Sequence, residues 1–162
     1  MSIVRVEMAP VEQMQLRRIV IDFVDLLTAD DGAADPALAR LTPNPYPDDV
    51  DAARDFRETT RRDLIDQRLT DARIVIAALT AAADGFDELS DDDAFLPRAF
   101  DVPDADLDAW LRTLTAVRLV VAVRLGIDDE DRRDADDPRY AAYDWLGYRL
   151  EVLIEAADEL EA

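Results

Sequence analysis

Cysteine, histidine and lysine are all absent from the 162-residue chain, so its 18 basic residues are all arginine. Without cysteine, the chain can form no disulfide, thiolate nucleophile or zinc–thiolate site. Without histidine it lacks the usual general base near neutral pH, and without lysine it lacks Schiff-base chemistry. The two serines, Ser2 and Ser90, lie outside any nucleophile motif. We therefore expect a protein that is not an enzyme.

Long apolar runs are also missing. The longest, "IVIAALTAAA" at 74–83, is too short to cross a bilayer, and the first residues do not resemble a signal peptide. These observations predict a cytoplasmic protein without membrane contact. The acidic clusters at 91–93, 128–131 and 134–137 do not match the spacing of a calcium-binding loop. We accordingly expect no metal ion and no cofactor.

The charge balance is strongly acidic, with 38 acidic residues and a formal net charge of −20. Such a surface repels nucleic acid unless a local basic patch overcomes it, so nucleic-acid binding is doubtful. Four arginines recur along one stripe of the helix predicted at about 48–83 and form a candidate anion-binding face: Arg54, Arg57, Arg61 and Arg68. Acidic residues are interleaved with them, which also fits a self-neutralised, solvated helix face.

Apolar residues recur at intervals of three and four, which is typical of amphipathic helices. The pattern predicts four main helices, at about 10–29, 48–83, 103–125 and from 137 onwards, and a short helix at 36–41. Proline at the first turn and acidic residues beside it mark most of the helix starts. We expect a bend in the second main helix near Thr70-Asp71. The predicted fold is an all-α bundle forming a single helical domain over residues 1–162.

Two further segments are predicted to be extended. Pro43, Pro45 and Pro47 alternate with other residues, which favours a polyproline-like connector that places Tyr46 on the core. Alternating segments also precede the helices that begin near Pro10 and Pro103. They could pair as a small two-strand antiparallel ribbon, and the alternative is two unrelated helix starts.

Arg118 and Arg149 differ from the other arginines because each lies in an apolar-rich helix. A buried arginine requires a carboxylate partner, so both are candidates for ion pairs between helices. The candidate partners on neighbouring helices are Asp22, Asp25 and Asp144. A ligand site is the alternative interpretation.

The last helix carries apolar residues in a seven-residue register, which predicts a seam. The register residues are Tyr143, Leu146, Leu150, Leu153, Ala157 and Leu160. Such a seam can lie inside the bundle or between the two subunits of a homodimer.

Three blocks of sequence, taken together, resemble a known family. They are "DPALARLTPNPYPDDVDAARDFRETT", "AWLRTLTAVRLVVAVRLGI" and "DDPRYAAYDWLGYRLEVLIEAADEL", in that order. They are similar to the AosR-like family of small actinobacterial proteins, long described as a domain of unknown function. The most recognisable points are Trp110-Leu111, Arg118-Leu119 and Trp145-Leu146-Gly147. The resemblance implies a cytoplasmic, all-helical, non-enzymatic protein that acts with a stress sigma factor on transcription.

The chain departs from that family at two points. The redox form of the family's role depends on a cysteine pair, which this chain lacks, so thiol sensing does not carry over. Family members often have Leu-Asn-Asp before the arginine that corresponds to Arg118, in the helix predicted at 103–125. Here Leu114-Thr115-Ala116-Val117 precedes Arg118.

Our leading hypothesis is a non-catalytic regulatory or protein-interaction domain that acts through a protein partner, such as a sigma factor or another transcription component. The first alternative is a direct DNA-binding regulator that uses the arginine-rich face. The second alternative is a metal-dependent or acid–base enzyme, which the missing side chains disfavour.

Overall fold

The computed structural model describes residues 1–29, 35–42, 48–127, 134 and 136–162, except for the side chains of 56–58. The proline-rich connector with Tyr46 therefore lies outside the described residues. The regular elements, in chain order, are β1 (Ile3–Met8), α1 (Pro10–Thr28), α2 (Pro36–Leu41), α3 (Val50–Phe56), a π-helical segment (Arg57–Arg61), α4 (Arg62–Ala82), β2 (Arg98–Pro103), α5 (Asp104–Leu125) and α6 (Ala141–Glu161). Short 3₁₀ turns lie at Phe86–Glu88, Asp93–Phe95 and Pro138–Tyr140.

The predicted helical fold with a small ribbon is confirmed, and local signals set several helix ends. Asp35 caps α2 by accepting a hydrogen bond of 2.8 Å from the backbone N–H of Ala37. Gly126 ends α5 with φ of +68°, a left-handed conformation that glycine adopts without steric cost. No helix in the described part of the chain is long and apolar enough to cross a membrane.

The two extended segments pair as the predicted antiparallel ribbon, with Ile3 opposite Pro103 and Met8 opposite Arg98. Alternate side chains of β1, from Val4 to Met8, are buried, as is Val102 of β2. Each strand leads almost directly into a helix, β1 into α1 and β2 into α5. Because the strands are antiparallel, α1 and α5 begin at opposite ends of the ribbon.

The helix predicted over 48–83 is interrupted, but not where we expected. Regular α-helix runs through Thr70 and Asp71, and the irregularity is the π-helical segment at 57–61. The Thr59 hydroxyl donates a hydrogen bond of 2.6 Å to the carbonyl of Asp55 just before it. Such a side-chain bond competes with the regular backbone pattern and favours a local change of pitch.

The four long helices pack in chain order around one core, α1 against α4, α4 against α5, and α5 against α6. In the described part of the chain, the backbones of α1 and α6 do not pack closely against each other. Tyr143, Leu146 and Leu153 of the seven-residue register are buried within the chain's own bundle. These three residues are therefore not available to a subunit interface, and a homodimer stays a prediction.

A buried ion pair joins α4 to α5. The carboxylate of Asp71 is almost fully buried and accepts two hydrogen bonds from the guanidinium of Arg112, at 2.8 and 3.1 Å. Gln67 donates a third, at 3.0 Å. Arg112 itself is half exposed and also approaches the exposed Asp108 at 3.9 Å. Replacing Asp71 would therefore leave the N–H groups of Arg112 and Gln67 without their buried acceptor.

We expect Asp71→Asn to lower the free energy of unfolding by about 1–3 kcal/mol, because a buried charge-assisted pair is broken. Asp108→Asn removes the same charge from the exposed side of Arg112 and should cost less than about 0.5 kcal/mol. Urea unfolding followed by circular dichroism measures both variants. Equal losses would show that burial of Asp71 does not determine its contribution.

Candidate functional site

The first turn of α1 carries the hub of a hydrogen-bond network. The Glu12 carboxylate accepts from the backbone N–H of Ala9 at 3.0 Å and from the indole N–H of Trp145 at 2.8 Å. It also accepts from the guanidinium of Arg149 at 2.9 Å. Glu12 therefore caps the N-terminus of its own helix and also binds two side chains of α6.

Arg149 extends the network to the ribbon. Its side chain is nearly buried, and it donates a further hydrogen bond of 2.9 Å to the carbonyl of Glu7 in β1. The sequence-based partners were wrong for this arginine, because the observed partner is Glu12. The start of α6 lies beside the first turn of α1, whereas Asp22 and Asp25 are exposed further along the same helix.

The network shifts the acidity of Glu12. Burial alone would raise the pKa of Glu12, but the hydrogen bonds from Trp145, Ala9 and Arg149, together with the arginine charge, outweigh it and hold the pKa below the ordinary value. The carboxylate is consequently ionised throughout the neutral range, which keeps the pair with Arg149 intact.

Arg118 lies between α5 and α6. Its guanidinium is 3.8 Å from the centre of the Tyr143 ring, and its Nε donates to the Tyr143 carbonyl at 3.3 Å. A Cβ atom at Gly147 would lie only 3.1 Å from that guanidinium, so glycine leaves the room that the arginine fills. Asp144, the third predicted ion-pair residue, is half-buried in the first turn of α6.

Of the three candidate arginines whose side chains the structure describes, Arg54, Arg61 and Arg68, only Arg54 is exposed. Arg61 is half-buried, and the side chain of Arg57 lies outside the described residues. Arg68 is half-buried and donates to the Leu41 carbonyl at 3.3 Å. Burial lowers the pKa of Arg68, with the nearby Asp71 acting in the opposite direction. Arg68 therefore has one of its guanidinium N–H groups bound at the end of α2.

Two apolar depressions lie along one side of α1 and meet at Ile19. The first, about 360 Å³, lies between α1 and the start of α6, with Trp145, Val11 and Ala142 in its walls. The second, about 280 Å³, lies between α1 and the end of α5, with Leu26, Val120 and Val121 in its walls. We call the two depressions together the α1 groove.

The charged groups around the α1 groove are mostly neutralised. Glu12 at one end pairs with Arg149, and Arg124 at the other end pairs with Asp35 through two hydrogen bonds, at 2.7 and 3.0 Å. Asp22 also lines the groove, and it forms no ion pair with any residue that the structure describes. The groove is thus an apolar surface with one uncompensated carboxylate.

Sequence reasoning missed this groove. Ile19 and Leu26 recur at helical spacing with the core residues of α1, and Val120 and Val121 lie in an apolar stretch of α5, so the sequence does not distinguish them from core residues. All four are only partly buried. The one available signal was the width of the apolar face of α1, which is broader than a single packing partner covers.

Among the described residues, no cluster of acidic side chains is placed to hold a metal ion. The fold is mostly helical with a small two-strand ribbon, and an apolar groove lies along α1. The chain belongs to DUF2017, a family described as a domain of unknown function, whose profile matches residues 2–157. Comparisons with curated proteins and with solved structures find no match.

The lowered pKa of Glu12 predicts how stability depends on pH. Above the ordinary value of 4.5 the ionised carboxylate stabilises the fold, and this stabilisation is lost as the pH falls through the lowered folded-state pKa. We expect Glu12→Gln to cost about 2 kcal/mol at neutral pH, since Arg149 loses the charged acceptor of its hydrogen bonds. The deficit should shrink as the pH is lowered below 4.5.

Urea unfolding across this pH range tests the expectation. Glu155→Gln, which removes one exposed carboxylate from α6, is the matched control and should follow the unmodified protein. A Glu12→Gln deficit that stays constant as the pH falls would contradict a stabilising charge on Glu12.

Proposed function

We propose that the protein is a non-catalytic regulatory domain that holds a protein partner in the α1 groove. The observation that carries this proposal is the mostly apolar lining of the two depressions, which share Ile19 and extend along α1 from Val11 to Leu26. Contiguous apolar surface on a small protein marks a binding site more often than chance exposure does.

The shape of the groove favours binding because it is fixed before a partner arrives. Trp145 forms part of one wall, and its indole is held by Glu12 at 2.8 Å. Arg149 ties the same carboxylate to β1. A surface that needs little ordering on association loses less conformational entropy, so more of the contact free energy contributes to affinity.

The proposed process is the regulation of transcription in the cytoplasm. It rests on the resemblance to the AosR-like family, in which the partner is a stress sigma factor. Thiol sensing is excluded from the proposal because the chain has no cysteine. The partner class is therefore a sigma factor or another transcription component, bound without a disulfide.

The alternative of direct DNA binding through the arginines has less support. It requires Arg68 to face solvent together with Arg54 and Arg61, whereas Arg68 is half-buried and bonded to the Leu41 carbonyl. Enzymatic alternatives lack the usual general base near neutral pH and any thiolate or amine nucleophile, because the chain has no histidine, cysteine or lysine.

Site-specific photo-crosslinking in the native cell tests the proposed function. A photoreactive phenylalanine analogue at position 19, in the middle of the α1 groove, should capture a sigma factor or another transcription component, identified by mass spectrometry. The same analogue replacing Ile154, which is 47% exposed on α6 and lies outside the groove, is the matched control. The control should not capture that component.

Two results would contradict the proposal. Equal capture from positions 19 and 154 would show that the groove is not the contact surface. Capture at position 19 of a component unrelated to transcription would retain the groove and remove the regulatory role.

A further inference from the structure

We propose that the segment that fills the α1 groove is an amphipathic helix of the partner protein, with a basic residue that pairs with Asp22. The inference rests on the proposed function, since it names the chemistry of the partner at the same groove. It is carried by the length, the spacing and the charge of the groove.

The length of the groove suits a helix of about four turns. Its lining residues on α1 extend from Val11 to Leu26. At a rise of 1.5 Å per residue this interval spans roughly 22 Å, which corresponds to about 15 residues of a second helix lying alongside. An extended peptide of the same reach would need far fewer residues and would leave its backbone hydrogen bonds unpaired against apolar walls.

The spacing of the lining residues points to the same occupant. Val11, Gln15, Ile19, Asp22 and Leu26 follow one another at intervals of four, four, three and four along α1. They form a single stripe that α5 and α6 flank but do not cover. A partner helix with apolar residues at three- and four-residue intervals packs against such a stripe by ridge-into-groove contacts.

Charge selects a basic partner helix over a second copy of the chain. Glu12 and Arg124 at the two ends are already paired within the protein, which leaves the Asp22 carboxylate without a described partner. The formal net charge of −20 attracts a cationic segment over distance. Two copies of this chain would instead bring like charges together, which disfavours self-association at this surface.

A designed peptide tests the inference without the natural partner. The probe is a 16-residue helical peptide with leucine at three- and four-residue intervals and arginine on the opposite face. The control peptide keeps the leucines and carries glutamate in place of arginine. Trp145 lies in the groove wall and Trp110 is buried in the core, so tryptophan fluorescence reports binding at the groove. The arginine peptide should bind, and the glutamate peptide should not.

Three variants then locate the contact. Asp22→Asn should weaken binding of the arginine peptide by about threefold, the size expected for one exposed ion pair. Asp25→Asn removes the same charge from an exposed position of α1 outside the groove and should leave the affinity unchanged. Ile19→Ser should weaken binding by about tenfold, because it removes the apolar contact shared by both depressions. Circular dichroism verifies that each variant is folded.

Several outcomes would overturn the inference. Equal losses for Asp22→Asn and Asp25→Asn would show only diffuse attraction to an acidic surface. Binding of neither peptide, while crosslinking at position 19 still captures a transcription component, would retain the proposed function and reject the basic helix. Dimerisation in sedimentation that Ile19→Ser abolishes would assign the groove to a second copy. Peptide binding without a captured transcription component would support the helix and reject the regulatory role.

Discussion

The pair between Glu12 and Arg149 is the interaction on which the arrangement of the bundle depends. α1 and α6 are not close-packed neighbours in the described part of the chain, so long side chains connect them while α6 packs against α5. Arg149 reaches both the Glu12 carboxylate and the Glu7 carbonyl, and Trp145 adds a second donor to the same carboxylate. A buried arginine is costly to desolvate, so Arg149 is stable in this position only when both the Glu12 carboxylate and the Glu7 carbonyl accept its hydrogen bonds. The main contribution of the pair is therefore to fix the position of α6. Its net contribution to the free energy of folding is smaller, because desolvation offsets the attraction.

The α1 groove follows from that position. Because α6 is held by its polar contacts at the first turn of α1, it does not cover the apolar stripe that runs from Ile19 to Leu26. The second wall is the last part of α5, which the pair between Arg124 and Asp35 joins to the start of α2. The groove is thus the space left by two constraints that act on different helices. This origin connects the fold to the proposed role, because a surface fixed by the core needs no rearrangement to receive a partner.

The elements of the fold were predictable because their signals are local. Pro10, Asp35-Pro36 and Gly126 mark helix ends through backbone preferences that act over a few residues. The network was not predictable in the same way, since Glu12 and Arg149 are 137 residues apart and either could have paired with a nearer group. The π-helical segment at 57–61 follows a hydrogen bond from the Thr59 hydroxyl to the Asp55 carbonyl. The sequence does not show whether that hydroxyl bonds to the carbonyl or to solvent. The groove was hidden because an apolar face reads the same in sequence whether or not another helix covers it.

The pairing of β1 with β2 has a consequence for biosynthesis. A ribosome completes Ile3–Met8 long before it reaches Arg98–Pro103, so the first strand leaves the exit tunnel without its partner. Val4, Val6 and Met8, all buried in the finished protein, stay exposed to other nascent chains while α1 to α4 are made. An unpaired strand can pair with a strand of another chain, and this exposure ends when β2 pairs with β1.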